Sequence, residues 1–216
     1  MLVRCCSREE PLAVVDLDKT LVASGFQEVL IGQPQPMPES ARVMRELSRK
    51  YSIIYLTHRP DFFGPKSKAW LRKHNYPEGP LLLSSVEGFL RGSRAFKTRA
   101  LRRLRRRFKG IRLGIGDKIA DVRSYHDNGM RAFLLLHLPP SPTSEQISLL
   151  AEQLRTLPAE VQVVRDWNEI HRALEGVESY PPQRAWRALQ ALARDLQARE
   201  KAAADTAPAR GAGGGP

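Results

Sequence analysis

Leu12-Ala13-Val14-Val15-Asp16-Leu17-Asp18-Lys19-Thr20 decides the fold of this chain. Its first half, LAVV, is a short apolar run rich in valine. Such a run fits a strand buried on both faces of a parallel sheet. Its second half sets two carboxylates two residues apart at the strand's C-terminal end, where open α/β sheets bind ligands.

The runs that follow repeat this grammar. SIIYLT at 52–57, LLL at 81–83, IRLGIGD at 111–117, AFLLLH at 132–137 and VQVV at 161–164 read as further strands. Helical spacing recurs between them: Val43, Met44 and Leu47 after Pro38, then 65–75, 120–128, 144–156 and a stretch around Trp167 and Ile170. Short buried strands alternating with helices predict an α/β, Rossmann-like parallel sheet with helices on both faces and right-handed crossovers. The expected organisation is one domain over 10–176, a helical tail over 177–203 and a disordered end over 204–216. The end, with its ADTAPARGAGGGP, has too little apolar surface to order itself.

Four elements sit at predicted strand ends or in the segments beyond them. They are Asp16 and Asp18, Thr57, Lys97, and Asp117 with Asp121 four residues later. A phosphoryl group can be attacked in line by a carboxylate if a cation offsets the charge. Asp16 is the candidate nucleophile, and Asp18 the general acid/base that serves the leaving oxygen and then water. Magnesium takes hard oxygen ligands. Asp16, the Asp18 backbone carbonyl and Asp117 are the expected ligands, with Asp121 beside them. Thr57 and Lys97 are expected to hold phosphate oxygens.

In order and strand context, DLDKT, the threonine after the second strand, the lone lysine and GDKIAD resemble the motifs of the haloacid dehalogenase superfamily. Within it, 13–137 resembles the catalytic domain of lipin-type phosphatidate phosphatases. YLTHRP at 55–60, AWL at 69–71, GPLLLSS at 79–85, AFK at 95–97 and GIGDKIADVRSYHDNGM at 114–130 carry that narrower likeness. The resemblance implies a magnesium-dependent phosphomonoester hydrolase working through an aspartyl phosphate on phosphatidate or a related lipid phosphate. Lys19 stands where such domains often carry glycine, and His58 where lipins tend to have alanine. The gaps between Asp18, Thr57 and Lys97 leave no room for a large cap, so a capless core open to a substrate with a bulky remainder is expected. The alternatives are a phosphatase for nucleic-acid ends or phosphoproteins, and a non-catalytic module that reads anionic lipid. The second carboxylate of the DLD motif argues against the module.

Charge and cysteines bound the rest. The chain of 216 residues has 35 Lys+Arg against 23 Asp+Glu, a net charge of +12. Much of that excess lies in KTRALRRLRRRFKG at 97–110. Leu101, Leu104 and Phe108 recur there at helical spacing, predicting a face packed on the sheet, with the arginines opposite. That opposite face is first a solvated one; a peripheral contact with anionic membrane is the next reading, and nucleic acid is less favoured. Arg59 and Trp70 are expected to be structural. The only cysteines, Cys5 and Cys6, are adjacent, which excludes a disulfide framework and is too few for structural zinc. No run approaches the roughly 20 apolar residues of a membrane span. MLVRCCSREE lacks an apolar run of signal-peptide length, so a cytoplasmic protein is expected.

Overall fold

The computed structural model describes residues 7–24, 34–90 and 92–206. The cysteine pair, the middle of the loop expected at 20–36 and the end from 207 lie outside the described residues.

Six parallel strands form one sheet in the order β3-β2-β1-β4-β5-β6. They are β1 (Leu12–Val15), β2 (Ser52–Pro60), β3 (Leu81–Ser84), β4 (Ile111–Gly116), β5 (Arg131–Leu135) and β6 (Gln162–Val164). The crossovers carry α1 (Ser40–Leu47), α2 (Gly64–Lys73), α3 (Val86–Leu90), α4 (Ser93–Arg107), α5 (Ile119–Asp127) and α6 (Ser144–Arg155). After the sheet come α7 (Trp167–Leu174) and α8 (Pro182–Thr206). The α/β sheet expected from the alternation is the sheet observed.

β1 is hydrogen-bonded on both sides, to β2 and to β4, and every one of its residues is buried. Chain order runs outward from β1 to β3 on one side, then restarts at β4 and runs outward on the other. The reversal lies between β1 and β4. In an open parallel sheet the diverging connections leave a crevice at that point. Asp16 follows β1 and Asp117 follows β4, so the topology puts both at the crevice.

Two differences from the predicted elements matter for the site. SIIYLT predicts a strand ending at Thr57, but β2 continues to Pro60. Side chains alternate along a strand, so Thr57 and Arg59 share a face. Lys97, expected in a loop-to-helix region, lies a full turn inside α4. The stripe Leu101, Leu104 and Phe108 is only partly core: Leu101 is fully buried, whereas Leu104 and Phe108 are half-buried and the helix stops at Arg107.

Contacts divide the chain into two compact units. One draws on Met1–His137 and Leu157–Pro182 and holds the whole sheet; the other draws on Leu138–Thr156 and Gln183–Pro216. In the second, α6 opens with a Thr143/Gln146 capping box, and Ser144 donates to Glu200 of α8 from its amide at 2.9 Å and its hydroxyl at 2.6 Å. The helix of the tail, expected over 177–203, runs from Pro182 to Thr206, starting later and reaching into the end expected to be disordered. Among the described residues no helix is long and apolar enough to cross a membrane.

Candidate active site

Asp16 continues the β1 ladder, its amide donating to the Ile115 carbonyl at 3.0 Å. Its side chain is buried, with the whole residue 3% exposed. One oxygen, Oδ1, accepts the Leu17 amide at 2.7 Å; the other, Oδ2, accepts Lys97 Nζ at 2.5 Å. The carboxylate is therefore held by a backbone amide and a buried cation.

The loop after it is pinned from outside. Leu17 O accepts the amides of Leu21 and Val22, each at 2.9 Å. Trp167 Nε1 of α7 donates to Thr20 O at 2.8 Å, and His137 Nε2 donates to Lys19 O at 2.5 Å. Lys19 is held at φ 55°, a left-handed conformation that an L-residue adopts at a cost of order 1 kcal/mol.

Asp18 faces β2. Arg59 Nη2 donates to its Oδ1 at 2.7 Å and Arg59 Nε to its Oδ2 at 3.0 Å, a two-pronged clamp. Thr57 Oγ1 donates to Oδ2 at 3.3 Å. Arg59 is itself buried and donates to Ser67 Oγ of α2 at 2.9 Å. Arg59, expected to be structural, is thus in the site, touching the candidate acid/base. Strand alternation from Thr57 is the signal that points to it, and it becomes visible only once β2 is extended past residue 57.

Lys97 joins the two ends of the crevice. Its Nζ also donates to Asp121 Oδ2, so it bridges Asp16 and Asp121 at 2% exposure. Burial pulls its pKa down, but Asp16, Tyr125 and Asp121 outweigh that and hold it above the usual lysine value. The lysine stays charged. Gly114 makes room beneath: a Cβ there would lie 2.3 Å from the Tyr125 ring, so only glycine lets α5 lie this close to β4.

Asp117 differs from its neighbours. Its Oδ1 is buried with no hydrogen-bond partner among the described residues. Burial first, and then the charge of Asp16, push its pKa from 3.8 up to about 7. Asp16, Asp117 and Asp121 bring carboxylate oxygens within 4.8 Å of one another. Lys97 pairs with two of these carboxylates, and an oxygen of the third, Asp117, lacks any donor among the described residues. That donor set fits a hard divalent cation. The Asp18 carboxylate is outside this group; the sequence assigns only its backbone carbonyl to the metal.

A carboxyl whose folded pKa exceeds its unfolded value binds its proton more tightly in the folded chain. Folding stability then falls as pH rises from 3.8 to about 7. In EDTA the thermal midpoint is expected to drop between about pH 5 and about pH 8, and Asp117→Asn to flatten that drop. Magnesium should raise the wild-type midpoint most at the alkaline end, where the carboxylate is free to bind it. Equal slopes for the two proteins would show that Asp117 is not the strained group.

These side chains surround a cavity of about 250 Å³, lined by Asp16, Asp18, Lys19, His58, Arg59, Phe89, Lys97, Asp117 and Lys118. The site residues named from the sequence converge here or directly behind: Thr57 supports Asp18, and Asp121 supports Lys97. Phe89 has no signal in the sequence. It comes from α3 and stacks on His58 with ring centroids 4.9 Å apart.

The family described as "PITM 1-3, LNS2 domain" matches residues 13–133, more than half of the chain. The chain belongs to the LNS2 domain family. Its fold is of the haloacid dehalogenase type. A protein described as a candidate had-like phosphatase from Mesorhizobium loti has a similar structure, with TM-score 0.55 at 14% identity over 82% of this chain and 90% of that one. A chain of the Pnkp1/Rnl/Hen1 RNA repair complex is similar with TM-score 0.51 at 16% identity, over 62% of this chain. The match spans 45% of that chain's length. Among curated proteins none matches significantly.

Proposed function

We propose that this LNS2 domain hydrolyses a phosphomonoester through an aspartyl phosphate on Asp16, with magnesium held by Asp16, Asp117 and Asp121, and that its substrate is phosphatidate or a related lipid phosphate. One observation carries the chemistry: a buried carboxylate aimed by Lys97 into the same small cavity as a second carboxylate two residues on.

An Asp16 oxygen attacks phosphorus, and the bond to the leaving oxygen breaks. Asp18 gives that oxygen a proton. Asp18 then takes a proton from water as the water oxygen attacks phosphorus, releasing inorganic phosphate and restoring Asp16. When bound, magnesium supplies charge neutralisation for the phosphate oxygens. Lys97 keeps Asp16 and Asp121 from repelling each other while the site fills. Arg59 and Thr57 hold the Asp18 carboxylate until substrate competes for it.

The lipid reading rests on size and surroundings. About 250 Å³ accepts a phosphate head and little else, so the rest of the ester stays outside. Beside the cavity, Leu90 follows Phe89 and is 81% exposed; Val86 on the same helix is 54% exposed, and Phe62, three residues past Arg59, is 65% exposed. Large apolar side chains left in water beside a polar pocket suit an apolar remainder or the bilayer that holds it.

A substrate panel decides. Purified protein is assayed with phosphatidate in mixed micelles, an oligonucleotide with a terminal phosphate, a phosphopeptide and a sugar phosphate, each with magnesium and with EDTA. Phosphatidate should turn over fastest and only with magnesium. A faster oligonucleotide or phosphopeptide would overturn the substrate, and turnover unchanged by EDTA would overturn the metal.

A further inference from the structure

β3 ends the sheet, and no described strand pairs with its outer edge. Along it runs a groove of about 900 Å³ that touches Leu81, Leu82 and Leu83 in succession. Side chains of consecutive strand residues point to opposite faces. Leu83 is directed towards α2, where a Cβ on Gly64 would meet it at 3.2 Å. A groove that reaches all three leucines must therefore follow the backbone edge. All three are only half-buried, so this edge is apolar and open, the kind of edge that recruits another strand.

The opposite wall is α4. Leu104 and Phe108, which the helical stripe assigns to the core, line the groove instead. Above them stand Arg99, Arg103, Arg106 and Arg107. None of these four has an ion pair or a hydrogen bond among the described residues. Among the described residues that line the groove, Asp61 is the only carboxylate.

We infer that this groove is a docking site for an extended acidic peptide of a partner protein, which adds a strand to the edge of β3 and sets its carboxylates against the α4 arginines. Main-chain hydrogen bonds to the free edge would give affinity, and the arginine wall would choose the charge. A second copy of this chain fits poorly, because two arginine walls would meet across the joined edges. A bilayer is flat and offers no donors or acceptors to a strand edge. A nucleic acid would leave the leucine floor uncovered. The inference is independent of the phosphatase reading and uses none of the residues assigned to it.

The probe is a fluorescent, N-acetylated peptide of about eight residues with alternating valine and glutamate, long enough to span the edge strand. It should bind saturably to the full chain. The same peptide with N-methyl groups along one hydrogen-bonding edge, and a valine/lysine version, should each bind at least about tenfold more weakly. Arg99→Glu/Arg103→Glu/Arg106→Glu should weaken the glutamate peptide by a similar factor and leave hydrolysis of a small soluble phosphate ester unchanged. If that variant misfolds, the N-methylated peptide on the natural chain still tests strand addition. Equal binding of the N-methylated peptide, or none by the parent peptide, overturns the inference. So does tight binding of phosphatidylserine vesicles or oligouridylate that the three reversals abolish while the peptide does not compete.

Discussion

Asp16→Asn lowers turnover of a small soluble phosphate ester by about a thousandfold or more with magnesium present, the scale seen when a covalent nucleophile is removed. The substitution is isosteric, and the amide oxygen can still accept the Leu17 N–H now bonded at 2.7 Å. What is lost is the negative oxygen that faces Lys97 at 2.5 Å. Lys97 keeps its bridge to Asp121, so it does not become an unpaired buried charge. The chain should therefore fold, with a cooperative thermal transition near that of the natural protein. Activity and stability then separate. Turnover within about tenfold of the natural protein would remove Asp16 from the chemistry, because no amide nucleophile sustains such a rate. Loss of the thermal transition would instead make the residue a structural partner of Lys97.

Much of this site is legible because the chemistry sits at strand ends. LAVV announces a strand buried on both faces, and Asp16 can then only stand at its C-terminal end. IRLGIGD does the same for Asp117. Topology completes the inference by placing β1 beside β4, a pairing between residues about a hundred positions apart that no local pattern encodes. What is not legible depends on side-chain reach. Lys97 is legible as a site lysine, but its bridge between Asp121 and Asp16, 81 residues away, is not, because the packing of α4 on the sheet is what turns it inward. Arg59 escapes a reading of the sequence because SIIYLT has an obvious apolar end at Thr57, and the polar HRP that prolongs β2 does not look like strand. Leu104 and Phe108 read as core because helical spacing records which residues share a face, not whether the neighbouring sheet is wide enough to cover it. The sheet stops at β3, and the groove is what remains uncovered.

The same logic bears on Asp18, where position and partner give a sharper test than loss of activity alone. Asp18→Asn is expected to block the second half of the reaction more than the first. Attack by Asp16 does not need Asp18 when the leaving group is a good one such as p-nitrophenolate, which departs without being protonated. Hydrolysis of the aspartyl phosphate does need a base for water, and an amide is not one. Phosphoenzyme should therefore accumulate: a burst of one equivalent of product, a slow steady state, and a mass gain of one phosphoryl group on the tryptic peptide that contains Asp16. The neighbours of Asp18 sharpen this. Arg59 Nη2 and Nε hold its carboxylate at 2.7 and 3.0 Å, and Thr57 Oγ1 adds a third contact at 3.3 Å. An asparagine side chain in its place satisfies only part of that clamp. The variant leaves Arg59 underpaired and should also lose some stability, of order 1–3 kcal/mol for one weakened buried charge contact. Arg59→Met serves as the comparison. It frees the Asp18 carboxylate without deleting it, so it should slow both steps without trapping phosphoenzyme. An unphosphorylated Asp18→Asn protein that turns over at the natural rate would show that another group moves the protons. Trapping by Arg59→Met as strong as by Asp18→Asn would shift the burden of water activation from the carboxylate to the geometry that Arg59 imposes on it.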